Sequence, residues 1–243
     1  MDVNASVDEP NLGPNATRAT ARWLVSVSII GWILAAGLFV SSGRLDWGMA
    51  WAYVVVFAST QLLIALWVIR GNPELALERS QLEAAHTVRW DRPLACVVGL
   101  WGPLATLVAS GLDMRFGWSA AISQTLQIAG LVLVVLGSLL SVWAMASNKF
   151  FYGHVRIEKE RGHTVATGGP YAIVRHPGYL GAVIFNLATP LMLDSLWAFI
   201  PALLTLFVLA LRTALEDRVL MEGLDGYRQY AQQVRHRLLP GVW

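Results

Sequence analysis

The chain has 243 residues, of which 56% are hydrophobic and only 14% are charged. Soluble domains carry charge on about a quarter of their residues, so a chain this poor in charge cannot cover a surface that faces water. The single cysteine, Cys96, excludes an intramolecular disulfide framework and a cysteine-based metal site. A net charge of +2 is too small to indicate nucleic-acid binding. The composition predicts an integral membrane protein.

The first 22 residues differ from the rest because they are polar and begin with acidic side chains. A cleaved signal peptide would begin with positive charge and continue into a short apolar core. We therefore predict that residues 1–22 form a polar lead that is disordered or lies on the membrane surface.

Apolar runs of about 20 residues are long enough to cross the hydrocarbon core of a bilayer. Four such runs precede residue 147, and a longer apolar stretch extends from Gly178 to Leu211. Pro190 and the pair Asp194-Ser195 divide this last stretch into a helical hairpin. The sequence predicts an all-α, polytopic membrane protein with about six transmembrane helices. The four earlier runs are Trp23 to Val40, Trp47 to Ile69, Leu94 to Ser110 and Ser119 to Ala146.

The distribution of basic residues agrees with six crossings. If there are six spans, 16 of the 18 Lys and Arg residues fall on one side of the membrane. Arg44 and Arg115 alone fall on the other side. Because cytoplasmic loops carry the excess of Lys and Arg, this asymmetry predicts that both termini are cytoplasmic.

Two segments after the fourth run predict a functional region at residues 147–243, which follows four transmembrane helices at residues 23–146. Residues 147–177 are polar, rich in Gly and His, and longer than a connection between spans requires. From Leu215 to Leu238, apolar residues recur at a spacing of three and four, which predicts an amphipathic helix. Such a helix should lie along the membrane surface or fold over the preceding loop. Gly223 and Gly226 predict a break in it.

One cluster of residues could carry chemistry. Residues 175–179, with the sequence Arg-His-Pro-Gly-Tyr, stand where the chain enters the membrane, and Pro177 suits the first turn of a helix. Alone, this pattern is also typical of a helix start decorated with interfacial side chains. Arg212 and Glu216 lie four residues apart and share one helix face, as an ordinary surface pair would. The hairpin, however, returns the chain to the side it left, which should bring Glu216 close to His176.

The order and spacing of these motifs resemble the isoprenylcysteine carboxyl methyltransferase family, whose wider group includes phospholipid N-methyltransferases. The resemblance extends over residues 147–243. It rests on His-Thr-Val-Ala-Thr-Gly-Gly-Pro-Tyr at 163–171, on 175–179 with Gly181, on Glu216-Asp217, and on Tyr227 with Tyr230.

The resemblance implies that S-adenosyl-L-methionine is the methyl donor, bound on the cytoplasmic side between the loop and the tail. It implies catalytic roles for Glu216 and for Arg212, which would contact the methyl acceptor. No metal is expected, because the chain shows no metal-ligand spacing. Three positions depart from the family pattern: Asp217 replaces a glutamate, Arg156 replaces a cofactor-binding glutamine, and Ala166 replaces a larger hydrophobic residue. The implied cofactor pocket comprises His163, Ala166, Tyr171, His176, Pro177, Gly178, Tyr179 and Glu216.

The chemistry of methyl transfer suits these side chains. A sulfonium cation is attracted by tyrosine faces and by a carboxylate. A carboxylate acceptor is already nucleophilic near neutral pH, so Arg212 need only orient it through paired hydrogen bonds. An amine acceptor would need a base, for which Glu216 and Asp217 are the candidates.

Several functions therefore remain open. The expected acceptor is the carboxylate of an amphipathic, prenylcysteine-type substrate, and the alternative is a phospholipid or other amine. A sterol-type reductase that uses a nicotinamide cofactor is less favoured, because no added nucleotide-binding signature is present. A transporter is least favoured, because the chain shows no internal repeat. The remaining histidines, His86, His154 and His236, lack metal-ligand spacing.

Overall fold

The computed structural model describes residues 14–71 and 88–243, and within these ranges all regular structure is helical. The predicted all-α membrane fold is confirmed. Residues 1–13 of the predicted polar lead lie outside the described ranges. The helices are α1 (Pro14–Ser42), α2 (Gly48–Gly71), α3 (Asp91–Phe116), α4 (Gln124–Ala146), α5 (Pro177–Met192), α6 (Phe199–Gly223) and α7 (Tyr227–Gln233).

Within the described ranges, five helices are long and apolar enough to cross a membrane: α1 to α4 and α6. The remaining predicted span is α5, the first arm of the hairpin. Its 16 residues extend about 24 Å at 1.5 Å per residue, which is shorter than a hydrocarbon core of about 30 Å. α5 begins at Pro177 and ends just before Asp194, which adopts a positive φ of 57° that does not continue a helix.

The helix boundaries differ from those expected at several ends. α3 is longer than the apolar run from Leu94 to Ser110 and contains a π-helical turn at Val97–Trp101, directly before Gly102 and Pro103. α4 begins at Gln124 rather than at Ser119, because the Ser123 side chain accepts a hydrogen bond from the backbone of Leu126 and caps the helix.

A close helix contact in the hairpin region joins α4 and α5 and depends on glycine. A Cβ on Gly137 would lie 2.7 Å from the carbonyl oxygen of Gly181, and a Cβ on Gly181 would lie 2.6 Å from that of Gly137. Gly130 approaches the backbone of Met192 in the same way. Small residues let helix backbones approach closely in membranes, and this seam holds α5 against the first four helices.

At one end of the bundle, a buried carboxylate joins two connections. Asp113, near the end of α3, accepts hydrogen bonds from the backbone and side chain of Ser119 and from the Ser195 hydroxyl at 2.6 Å. Ser119 in turn accepts a hydrogen bond from the backbone of Leu196. The α3–α4 connection and the tip of the hairpin are thereby held together, at the end opposite residues 147–176.

At the other end, the tail folds back over the loop. α6 ends at Gly223, Gly226 has a φ of 82°, and α7 begins at the next residue, so the predicted break is confirmed. Of the two placements expected for the apolar face of the tail, the structure shows packing over the loop. Leu224, Tyr227, Tyr230 and Ala231 form one apolar cluster with Tyr171.

We predict that Gly137→Ala lowers the melting temperature of the detergent-solubilised protein. The new methyl group would meet backbone atoms that cannot move aside, and overpacking of this kind costs about 1–3 kcal/mol. Gly99→Ala is the matched control, since a Cβ there meets nothing within 4 Å. Equal melting temperatures for the two variants would contradict a tight α4–α5 seam.

Candidate active site

A cavity lies where residues 147–176, the end of α6 and the α7 tail meet. Its empty volume is about 990 Å³, including its open mouth. Of the nine residues predicted for the site, Pro177 does not line the cavity and is buried in the first turn of α5. The eight that line it are His163, Ala166, Tyr171, His176, Gly178, Tyr179, Arg212 and Glu216.

Aromatic side chains form much of the wall, and the tail supplies two of them. Tyr230 donates a hydrogen bond from its hydroxyl to the carbonyl oxygen of Tyr171 at 2.7 Å, which fastens the tail to the loop. Burial raises the pKa of Tyr171 and of Tyr227, so both phenols are neutral near neutral pH. The cavity also contacts Phe150, Phe151, Tyr152 and Tyr179.

Arg212 reaches the cavity from α6 with most of its donors already occupied. Its Nε donates to Asp91 Oδ1 at 2.7 Å, and its Nη2 donates to Asp91 Oδ2 at 3.1 Å and to the carbonyl oxygen of Gly153 at 2.9 Å. Among the described residues, nothing accepts a hydrogen bond from Nη1. Nη1 is thus the one guanidinium nitrogen without a hydrogen-bond partner among the described residues, whereas the sequence led us to expect paired hydrogen bonds to an acceptor.

Glu216 lies one turn further along α6 and also lines the cavity. It accepts a short hydrogen bond from the hydroxyl of Tyr179. No basic side chain in the described ranges forms an ion pair with it within 4 Å. The cavity wall thus carries a carboxylate that a cationic ligand can approach, next to a guanidinium that an anionic ligand can approach.

Asp217 is turned away from the cavity and connects the Arg-His-Pro segment to the tail. Its side chain, 1% exposed, accepts hydrogen bonds from Tyr227 at 2.8 Å and Arg237 at 2.8 Å, and lies 3.2 Å from His176 Nε2. The backbone N–H groups of Arg175 and His176 also donate to carbonyls of the tail, each at 2.9 Å. Asp217 therefore holds the walls together and cannot reach a ligand.

His163 is held as a neutral ring. Burial, and secondarily the positive charge of Arg156, lower the pKa of His163 to about 4. Its Nδ1 accepts a hydrogen bond from the backbone of Glu158 at 3.4 Å, so Nε2 carries the proton. The ring stacks on Phe150 with centroids 4.4 Å apart. His163 can therefore donate one hydrogen bond from Nε2 without carrying charge.

Three charged residues of the site were not predicted as ligands. Arg156 and Arg175 both line the cavity and are buried, and Arg156 Cζ lies 3.8 Å from the centre of the Tyr152 ring. Arg175 is part of the motif, and its position beside His176 could have indicated it. Asp91 lies far from the motifs in sequence, and the one available signal was an acidic residue at a membrane boundary.

Part of the chain matches a known protein family. Residues 130–222 match the family model described as the isoprenylcysteine carboxyl methyltransferase (ICMT) family. Residues 130–222, which we call the ICMT family region after the model they match, are similar to this family. The resemblance predicted from the motifs is confirmed, and the family region contains all nine predicted site residues.

Named relatives extend the match. A protein-S-isoprenylcysteine O-methyltransferase of Rattus norvegicus is 39% identical over 171 residues, which are 70% of this chain and 56% of the relative. A probable protein-S-isoprenylcysteine O-methyltransferase of Oryza sativa subsp. indica is 32% identical over 116 residues, 46% of this chain and 60% of the relative. The chain thus spans less than two thirds of the length of these relatives.

A solved structure titled as the eukaryotic intramembrane Ras methyltransferase ICMT, without a monobody, also aligns with the chain. The alignment covers 96% of this chain and 98% of that one, at 18% identity and a TM-score of 0.47.

We predict that the free energy of unfolding falls on mild acidification, because His163 is neutral in the folded protein. Its pKa is about 4 when folded and about 6.5 when unfolded, so the unfolded chain takes up the proton first as the pH falls below 6.5. Stability is therefore full above that range and declines toward pH 4. The melting temperature of the purified protein should drop more between pH 7 and pH 5 than that of His163→Asn, which keeps an acceptor for Glu158. Parallel curves for the two proteins would contradict a neutral His163.

Proposed function

We propose that this chain is an S-adenosyl-L-methionine-dependent methyltransferase that acts on the carboxylate of an amphipathic, prenylcysteine-type acceptor. The observation that carries the proposal is the pair Arg212 and Glu216. They present opposite charges from one face of α6 into one aromatic cavity within the ICMT family region. A cationic methyl donor and an anionic acceptor require such a division of charge.

The residues present fit the donor. S-adenosyl-L-methionine supplies an electrophilic methyl group on a sulfonium. Glu216 offers the accessible carboxylate, and Tyr179, Tyr171 and Tyr227 offer faces that attract a cation. Arg175 lines the same cavity and would serve the carboxylate of the donor's amino-acid part. His163, as a neutral donor, would contact its uncharged portion.

Arg212 favours an anionic acceptor. Its Nε and Nη2 are engaged by Asp91 and Gly153, so the free Nη1 holds one acceptor oxygen. A carboxylate needs no deprotonation before it attacks, and the protein then contributes chiefly by positioning the reactants and excluding water. The buried tyrosine walls and the tail provide that exclusion.

The alternative acceptor, an amine, has less support from the geometry. An amine requires a base, and of the two carboxylates considered from the sequence, Asp217 is fully engaged with His176, Tyr227 and Arg237. Glu216 alone could take that proton, yet the same carboxylate is needed to face the donor's cation. A methyl-transfer assay that offers both a carboxylate and an amine lipid distinguishes the two acceptors.

The proposal also places the site in the cell. The connections at 117–123 and 193–198 meet at one end of the bundle, and residues 88–91, 147–176 and 212–243 meet at the other. This separation of the connections into two ends supports an even number of membrane crossings. Because the basic residues concentrate at the cavity end, we infer that this end and both termini are cytoplasmic.

We predict that the purified protein binds S-adenosyl-L-methionine and S-adenosylhomocysteine in detergent, measured by calorimetry. Glu216→Gln should weaken S-adenosyl-L-methionine about tenfold and S-adenosylhomocysteine less, because the second ligand lacks the sulfonium charge. Glu222→Gln, an exposed position on the same helix, is the control. Absence of binding by the wild-type protein would refute the cofactor assignment.

We predict that labelled methyl is transferred to an N-acetyl-S-farnesylcysteine-type carboxylate in preference to phosphatidylethanolamine. Arg212→Gln should lower kcat/KM for the carboxylate about 100-fold while cofactor affinity stays within about twofold, since the side chain acts on the acceptor. Arg218→Gln, also on α6 but exposed, should retain full activity. Transfer to the amine lipid alone would reject the carboxylate assignment.

A further inference from the structure

Asp91 is a buried carboxylate that lies outside the ICMT family region and does not line the cavity. It is the first residue of α3 and is 0% exposed. At the N-terminus of a helix, a carboxylate is stabilised by the helix dipole. Its side chain points across the bundle end toward α6, 121 residues further along the chain.

Both oxygens of Asp91 are used. Oδ1 accepts from Arg212 Nε at 2.7 Å, and Oδ2 accepts from Arg212 Nη2 at 3.1 Å and from the backbone of Val155 at 2.9 Å. His154 Nδ1 also lies 3.3 Å from Oδ2. The two bonds to Arg212 form the paired, parallel arrangement that fixes the plane of a guanidinium.

The same carboxylate also sets the loop that meets Arg212. Asp91 binds the backbone at Val155, and the neighbouring Val88 donates its N–H to the Val155 carbonyl at 3.3 Å. Two residues before Val155, the Gly153 carbonyl accepts the second hydrogen of Arg212 Nη2. Asp91 thus constrains both the guanidinium of Arg212 and the loop segment, residues 153–155, that this guanidinium contacts.

We infer that Asp91 is a positioning residue for acceptor binding. It holds Arg212, which lines the cavity, in one orientation that leaves Nη1 available to an acceptor. The inference rests on the proposed function, because it assigns Asp91 to the same site. It also gives the first four helices a part in the reaction: they deliver, through α3, the carboxylate that aims the acceptor-binding arginine.

A purely structural role for Asp91 predicts a different effect of its loss on activity. If Asp91 served only to neutralise a buried charge, its loss would lower stability and reduce activity whatever residue stood at 212. If it acts through Arg212, its loss should have no further effect once Arg212 can no longer form the paired bonds. Lysine at 212 keeps the charge but offers a single nitrogen, so Arg212→Lys separates the two cases.

The experiment compares Asp91→Asn, Asp91→Glu, Arg212→Lys and the double variant Asp91→Asn/Arg212→Lys, each as full-length protein in detergent. Asp113→Asn is the matched control. Asp113 is also buried in α3 and hydrogen-bonded to other segments, but at the opposite end of the bundle. It should lower the melting temperature without changing acceptor kinetics.

Asp91→Asn should reduce kcat/KM for the carboxylate acceptor about 10- to 100-fold, as expected for displacement of a positioning group by about 1 Å. Affinity for S-adenosylhomocysteine should stay within about twofold. Asp91→Glu, which restores the charge, should recover part of the loss. The kcat/KM of the double variant should lie within about twofold of that of Arg212→Lys. Multiplicative losses in the double variant would overturn the inference.

A second readout does not depend on turnover. In ¹⁵N-arginine spectra, the Arg212 Nε–H signal, assigned by its absence from Arg212→Lys, should exchange slowly with solvent. Asp91→Asn should abolish that protection, and Asp113→Asn should preserve it. A signal that Asp91→Asn leaves unchanged would overturn the inference even in a protein that transfers no methyl group. Failure of the proposed function is seen separately, as wild-type protein that neither binds the cofactor nor methylates an acceptor.

Discussion

The arrangement of the cavity end depends on the pairing of charges carried by the last turns of α6. A helix that leaves a membrane with buried arginine and aspartate side chains must find partners for them, because an unpaired buried charge is far more costly than a paired one. Arg212 pairs with Asp91 of α3. Asp217 contacts Arg237 of the tail and His176 at the start of α5. Each pair joins segments that are distant in sequence.

These pairings explain why α6 continues beyond its apolar stretch. The hydrophobic run ends at Leu211, yet the helix extends to Gly223. Within that extension, Arg212 and Asp217 are almost fully buried, and Glu216 is partly exposed to the cavity. The same few turns therefore hold the loop and the tail and also carry the two charged groups, Arg212 and Glu216, that line the cavity.

The glycine seam between α4 and α5 places the rest of the site. His176 and Tyr179 stand at the start of α5, so their distance from α4 depends on how closely the two helices pack. Contacts of 2.6 and 2.7 Å between a notional Cβ and the opposing carbonyl leave no room for a side chain at Gly137 or Gly181. A hairpin arm shorter than the hydrocarbon core can therefore pack closely along α4 between the two ends of the bundle.

The sequence predicted the five helices long enough to cross a membrane, the hairpin, the break near Gly226 and eight of the residues that line the cavity, because those features leave local signals. Hydropathy indicates transmembrane spans, and proline and glycine indicate where helices end. The family motifs indicate the residues that line the cavity. It did not predict the Asp91–Arg212 pair or the burial of Asp217. Both depend on which distant segments meet across the bundle, and the spacing of residues in one sequence carries no information about that. Nor could it show that Arg212 offers one free nitrogen instead of two.

The family region, taken alone, does not contain the complete site. Residues 130–222 include Arg212, Glu216 and the Arg-His-Pro segment, but not the carboxylate that orients Arg212 or the tail tyrosines that close the cavity. Asp91 comes from before the region, and Tyr227 and Tyr230 come from after it. The motifs within the region supply side chains that line the cavity. The groups that hold them in position can come from anywhere in the fold that reaches the same end of the bundle, and in this chain they come from both sides.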